Sequence, residues 1–230
     1  MIISGLQKLT LLDYPGKVAC TVFTHGCNFK CPFCHNASLV TQAAENTISE
    51  DEFFTFLQKR KGILEGVCIT GGEPTLQKDL PEFMKKIKQM GYSVKLDTNG
   101  SFPDKLSGIL EAHLVDYVAM DIKSAPEAYA SAVGTDADFC VFARSIELLK
   151  ESNTPHEFRT TAVKGIHTAD DFEAIGKLIG DEAYFIQSFK DSGNILGNGC
   201  SAFSPDEMQE LLCAVLPFTP RASLRGVDTD

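Results

Sequence analysis

Short apolar runs alternate along the chain with amphipathic stretches of helical period. The runs Val18–Thr24, Val67–Thr70, Ser93–Asp97, Tyr117–Asp121, Glu157–Thr161 and Tyr184–Gln187 read as β-strands. The stretches between them have legible ends. Ser49-x-x-Glu52 forms a capping box ahead of Phe53, Phe56 and Leu57, and Gly62 follows as a stop. Asp79 precedes Leu80, Phe83, Ile87 and Met90 at helical spacing, with Gly91 where a left-handed C-cap falls. Thr168-x-x-Asp171 leads into Phe172, Ile175, Leu178 and Ile179 before Gly180, and Ser204-Pro205-Asp206-Glu207 opens a last helix through Val215.

Strands that alternate with helices predict a parallel sheet with right-handed crossovers. The intervals after the first and fourth strands are the longest, so long loops are expected there. Too little chain follows the sixth strand for two further βα units, which disfavours a complete eight-stranded barrel. A six-unit partial barrel or an open doubly wound sheet fits the count. No repeat, low-complexity tract or linker interrupts residues 1–230, which read as one domain.

Composition narrows the function. The 230 residues are 43% hydrophobic and 23% charged, ordinary for a soluble protein. The net charge of −10 argues against nucleic acid or anionic membrane as a partner. No apolar run is long enough to span a bilayer. Met1-Ile-Ile-Ser-Gly-Leu-Gln-Lys lacks a basic region followed by an apolar stretch, so no secretory signal is expected and the cytoplasm is the expected compartment. Of the eight cysteines, Cys27, Cys31 and Cys34 cluster. Cys20, Cys68, Cys140, Cys200 and Cys213 are scattered, and the surroundings of Cys140 and Cys213 read as helix interiors.

Unusual residue combinations follow the strands. His25-Gly26-Cys27-Asn28-Phe29-Lys30-Cys31-Pro32-Phe33-Cys34-His35-Asn36 follows the first, Gly71-Gly72-Glu73-Pro74 the second and Thr98-Asn99-Gly100 the third. Met120-Asp121-Ile122-Lys123 ends the fourth and Arg159 lies in the fifth. In α/β folds the carboxyl ends of the strands form the active-site rim. A Cys-x3-Cys-x2-Cys loop lets three thiolates serve one centre, either zinc completed by His35 or another residue, or three irons of a cubane cluster. Two glycines after a strand permit close backbone approach to a ligand, and Glu73 adds an acceptor for an amine. Asp121 and Lys123 alternate along a strand and can form an ion pair.

Together these residues resemble the radical S-adenosylmethionine (SAM) superfamily, whose cluster motif Cys27-x3-Cys31-x-Phe33-Cys34 matches and whose methionine-binding segment Gly71-Gly72-Glu73-Pro74 matches. The resemblance runs from Leu11 to about Gly226 and implies a partial (β/α)6 TIM-like barrel of the radical SAM type. Leu12-Asp13-Tyr14-Pro15-Gly16-Lys17, Cys34-His35-Asn36, Asp97-Thr98-Asn99-Gly100 and Asp121-Ile122-Lys123 resemble the glycyl-radical-enzyme activases. Phe158-Arg159-Thr160-Thr161 and Gln187-Ser188-Phe189 are most similar to the activating proteins of anaerobic ribonucleoside-triphosphate reductase. Formate-lyase activases carry Pro-Tyr-His where this chain has Ser188-Phe189-Lys190, and the short stretch after Cys34 leaves no room for a ferredoxin-like cluster domain.

The resemblance implies a [4Fe–4S] cluster on Cys27, Cys31 and Cys34, with SAM on the fourth iron. Reductive cleavage of SAM would give methionine and a 5′-deoxyadenosyl radical, which takes a hydrogen from a glycine of a partner enzyme, here anaerobic ribonucleotide reductase. The resemblance further implies that Gly71, Gly72 and Glu73 hold the methionine ammonium and Arg159 its carboxylate. Phe33 and His35 would border the adenine. Asp121 and Lys123 would contact the ribose or methionine side, and Asp97 would bind a monovalent cation near the carboxylate. Flavodoxin or ferredoxin is the implied electron donor. The alternatives are an activase for a pyruvate formate-lyase type of enzyme, and a radical SAM enzyme acting on a small molecule.

Overall fold

In a computed structural model, which describes residues 1–191 and 193–227, the chain is an α/β protein. Its strands are β1 (Ile3–Thr10), β2 (Ala19–Thr24), β3 (Gly66–Gly71), β4 (Ser93–Thr98), β5 (Tyr117–Asp121), β6 (His156–Ala162), β7 (Tyr184–Ser188) and β8 (Ala222–Arg225). They lie in chain order in one sheet. β1 runs antiparallel to β2, while the β2/β3, β3/β4, β6/β7 and β7/β8 pairs are parallel. The helices are α1 (Ala37–Thr41), α2 (Glu50–Lys59), α3 (Leu80–Gln89), α4 (Pro103–Glu111), α5 (Tyr129–Val133), α6 (Phe139–Glu151), α7 (Ala169–Ile179) and α8 (Pro205–Val215).

Six strands match the sequence expectation to within a residue or two at each end. Two were not expected, β1 at the start and β8 at the end, so the described sheet has eight strands rather than six. The capping boxes at Ser49/Glu52, Thr168/Asp171 and Ser204/Glu207 all form, each satisfying otherwise orphaned N–H groups of the first turn. Asp79 precedes α3 but makes no side-chain cap bond. The long intervals after β2 and β5 hold α1 and α2, and α5 and α6, respectively.

The described chain forms two compact units. The first comprises Met1–Asn28, Ser38–Ala119 and Ser152–Pro155, and the second Phe29–Ala37, Met120–Glu151 and His156–Asp230. In the first, Val22, Val67, Ile69, Val94 and Leu96 are fully buried strand residues, and Phe53 and Phe83 from α2 and α3 stack 5.2 Å apart. Their burial removes apolar surface from water at roughly 25 cal/mol per Å², the main stabilising term of such a core. Tyr14 belongs to the same core, its ring so close to Gly66 that an added Cβ would sit 2.9 Å from it. Burial pushes the Tyr14 phenol up to about 12. In the second unit Phe158, Ile175, Ile179, Ile186 and Met208 are buried to the same degree. There the guanidinium of Arg225 in β8 meets both carboxylate oxygens of buried Glu157 at 3.0 and 3.2 Å and lies 3.7 Å over the Phe185 ring. No helix among the described residues is long and apolar enough to cross a membrane.

The scattered cysteines divide. Cys20 and Cys68 are buried in β2 and β3, and burial pushes the Cys20 thiol up to about 12. Cys140 and Cys213 are exposed on α6 and α8 rather than interior, because they fall on the solvent sides of their helices.

Candidate active site

In the first unit, the residues after β2 meet those after β3 through backbone. Gly72 N–H donates to the Thr24 carbonyl at 3.0 Å, and Glu73 N–H donates to the Gly26 carbonyl at 2.8 Å. A Cβ on Gly71 would lie 2.3 Å from Thr24 N, and one on Gly72 would lie 2.0 Å from Gly26 O. Gly71 also has φ +118°. The Gly-Gly pair is therefore required by the close approach of its own chain to the start of the cysteine loop.

Glu73 is 1% exposed and points into the protein. One oxygen accepts from Thr75 N–H at 3.0 Å, from the Thr98 hydroxyl at 2.8 Å and from the Thr75 hydroxyl, and the other accepts from Asn99 N–H at 2.6 Å. Burial raises its pKa, and the hydrogen bonds pull the other way without cancelling that shift. Glu73 thus joins the turn after β3 to the end of β4. Asn99 extends the link, its amide 3.9 Å from Cys27 Sγ and 3.1 Å from the Asn28 oxygen. Lys95 and Asp97 alternate on β4, and the buried Lys95 ammonium pairs with Asp97.

The second unit carries the rest of the cysteine loop. Lys30 N–H donates to the Val133 carbonyl at 2.8 Å, and Gly197 N–H donates to the Pro32 carbonyl at 2.8 Å. A Cβ on Gly134 would come 2.5 Å from Lys30 O, and one on Gly197 would come 2.4 Å from Pro32 Cβ, so both glycines permit the contact. Cys31 is buried and Cys34 half-buried, joined by a turn in which Cys34 N–H donates to the Cys31 carbonyl at 3.0 Å. Phe33 is buried with its ring 6.0 Å from His167. His35 is exposed, stacks 5.3 Å from Phe189, and its Nε2 lies 2.6 Å from the Lys190 carbonyl.

The same unit gathers a charged triad at the ends of β5 and β6. The Asp121 carboxylate accepts from Arg159 Nε at 2.8 Å and from Lys123 Nζ at 3.0 Å. Burial disfavours its ionised form, but the two cations outweigh that and hold Asp121 well below the usual carboxylate range. For Lys123, burial works against the charge, yet Asp121 first and Cys31 second raise its pKa.

His167, which the sequence did not single out, supports this triad. Its Nδ1 accepts from Val163 N–H at 3.0 Å, which leaves Nε2 to carry the proton and donate to the Lys123 carbonyl at 2.8 Å. Burial lowers its pKa below the ordinary 6.5, so the folded protein holds it neutral where the unfolded chain takes up a proton. Stability is therefore full above pH 6.5 and is lost as pH falls below it. Denaturant unfolding at pH 7.5 and 5.5 should show a loss in the wild type that is smaller in His167→Gln.

The fold and this loop define an α/β enzyme class with three thiolates on one short segment and polar groups at the strand ends. The chain belongs to the radical SAM superfamily: the superfamily's sequence profile matches residues 21–179. A Methanocaldococcus jannaschii protein carrying the name of a glycyl-radical enzyme activating enzyme is 35% identical over 197 residues, 82% of this chain and 80% of that protein. A second protein of that organism with the same kind of name is 30% identical over 213 residues, 90% of this chain and 78% of the relative. Among solved structures, a radical SAM methyltransferase from Sphaerobacter thermophilus superposes with TM-score 0.71 at 12% identity, covering 94% of this chain and 68% of that one. The fold is thus the partial-barrel α/β fold of radical SAM enzymes, and the protein is an enzyme that acts through a radical mechanism.

A [4Fe–4S] cluster and SAM are the cofactors of this superfamily and of this chain. The residues fit the cluster: Cys27, Cys31 and Cys34 carry thiols rather than disulfides, and soft thiolates suit iron–sulfur centres. Lys123 is within electrostatic reach of Cys31, which favours its thiolate. Among the described residues no three His, Cys, Asp or Glu side chains already form a metal cage.

Proposed function

We propose that this enzyme activates a glycyl-radical enzyme by abstracting hydrogen from a backbone glycine, and that its partner is anaerobic ribonucleoside-triphosphate reductase. The activase reading rests on the 35% identity, over four-fifths of both chains, to a protein named as such an activating enzyme. The choice of reductase is supported by Phe158-Arg159-Thr160-Thr161 and by Ser188-Phe189-Lys190, which stands where formate-lyase activases carry Pro-Tyr-His. A cytoplasmic location and a flavodoxin or ferredoxin donor accompany this reading.

Cys27, Cys31 and Cys34 would hold the cluster through their thiolates. When bound, the cluster would supply the one-electron reduction on which SAM cleavage depends. The remaining work belongs to the chain's own residues. Gly71 and Gly72 present backbone to the methionine ammonium; Glu73, expected to hold it with them, is buried with both oxygens occupied by Thr75, Thr98 and Asn99 and instead braces that turn. Arg159 is the candidate for the methionine carboxylate, its planar fork already positioned by Asp121 through Nε. Lys123 and Asp121 contact the ribose or methionine side, and Phe33 and His35 border the adenine. Phe189 and the Lys190 carbonyl orient the His35 ring.

The partner assignment is tested by mixing the reconstituted, reduced protein and SAM with purified glycyl-radical enzymes and recording electron paramagnetic resonance spectra. A glycyl radical doublet is expected on the anaerobic reductase, with a weaker yield on peptides of its glycine loop. A doublet on a formate-lyase type enzyme and none on the reductase would reassign the partner. Release of 5′-deoxyadenosine with a small molecule, and no radical on either protein, would favour a small-molecule enzyme.

A further inference from the structure

We propose that the ε-ammonium of Lys95 takes the place of a monovalent cation at Asp97, so that this enzyme binds SAM independently of sodium and potassium. Lys95 and Asp97 are two apart on β4 and so share a face of the strand. The Lys95 side chain is only 2% exposed and that of Asp97 only 14%, and the ammonium donates to Asp97 Oδ1. The stem of Lys95 runs beside β3, where its register partner is Cys68 and its ammonium lies 3.9 Å from Cys68 Sγ. A lysine is seldom buried to this extent unless an anion meets it.

This arrangement does not fit a separate cation at the same carboxylate. An inorganic cation bound to Asp97 would face the Lys95 ammonium at close range, in surroundings where little water screens the repulsion. The chain instead supplies the positive charge covalently, and an ammonium is close to potassium in size. The charge cannot then be lost by dilution or exchanged. The inference rests on superfamily membership and on this ion pair, and is independent of which partner the enzyme activates.

The test is equilibrium SAM binding to cluster-loaded protein in sodium, potassium and choline chloride at matched ionic strength. Wild-type affinities should agree within about twofold, the residue left once screening is equalised. A saturable rise with sodium or potassium over choline in the wild type would overturn the proposal. In Lys95→Met, which keeps the stem and removes the charge, affinity in choline should fall roughly tenfold and recover with potassium. Cluster-free Lys95→Met should likewise gain thermal stability from potassium where the wild type does not. A Lys95→Met protein that loses SAM affinity or stability with no relief from any monovalent cation would show a purely structural ion pair and would also overturn it. If that variant does not fold, the wild-type titration decides alone.

Discussion

Replacing Cys27, Cys31 or Cys34 by Ala is expected to give protein that binds no intact cluster and cleaves no SAM, with product at background. No other cysteine lies in the loop to substitute: Cys20 and Cys68 are buried strand residues, Cys140 and Cys213 are exposed on helices, and Cys200 is half-buried outside the loop. Each loop residue is also fixed by its neighbours. Glu73 N–H holds the Gly26 carbonyl beside Cys27, and the Val133 and Gly197 backbones hold Lys30 and Pro32 on either side of Cys31. Three irons need three thiolates, so the losses should be equal rather than graded. Cys140→Ala and Cys213→Ala should retain full cluster content and cleavage. Iron and sulfide analysis with 5′-deoxyadenosine quantification checks both halves, and a Cys31→Ala protein that still cleaves SAM would contradict the ligand assignment.

The second large effect concerns the Asp121–Arg159–Lys123 triad. Arg159→Ala should leave the cluster in place and weaken SAM binding by roughly 30-fold or more, since removing one partner of a desolvated charge pair costs about 2–5 kcal/mol. Asp121→Ala should be worse for the fold, because it leaves two cations facing one another without their shared carboxylate. A stability loss of up to about 3 kcal/mol is expected, the low end for a broken buried pair, since the Asp121 side chain keeps 29% exposure. Because Asp121 is held below its ordinary pKa, its contribution is complete above about pH 4 and disappears as pH falls through the folded value. Denaturant unfolding and equilibrium SAM binding separate the two consequences. Unchanged SAM affinity in Arg159→Ala would mean that Arg159 does not bind the methionine carboxylate.

The alternation that was legible in the sequence came from strands whose side chains are buried, such as Ala19–Thr24 and Tyr117–Asp121. The two missed strands, β1 and β8, are mostly half-buried or exposed along their length. Such strands pair through backbone groups, and their side chains record little of it. Helix α4 has no side-chain cap at Phe102, and only Pro103 and Asp104 in its first turn mark its start. The cysteine loop and Gly-Gly-Glu turn were legible because their residue types are costly anywhere else. What those residues touch was less so. A Gly-Gly pair suggests room for a ligand, and here it makes room for the Thr24–Gly26 backbone. The Lys95–Asp97 pair is legible in principle, since a lysine two residues before an aspartate on one face of an otherwise apolar strand needs an anion beside it.

Hydrogen-atom transfer from a glycine of a partner protein, driven by SAM cleavage, is the step on which the proposed function rests. It is tested most directly by labelling the partner reductase with deuterated glycine and analysing the 5′-deoxyadenosine formed by mass spectrometry. One deuterium is expected in the product, in step with the appearance of the glycyl radical and absent with Cys31→Ala. Deoxyadenosine formed without deuterium, from the reductase and from every other glycyl-radical enzyme offered, would contradict it.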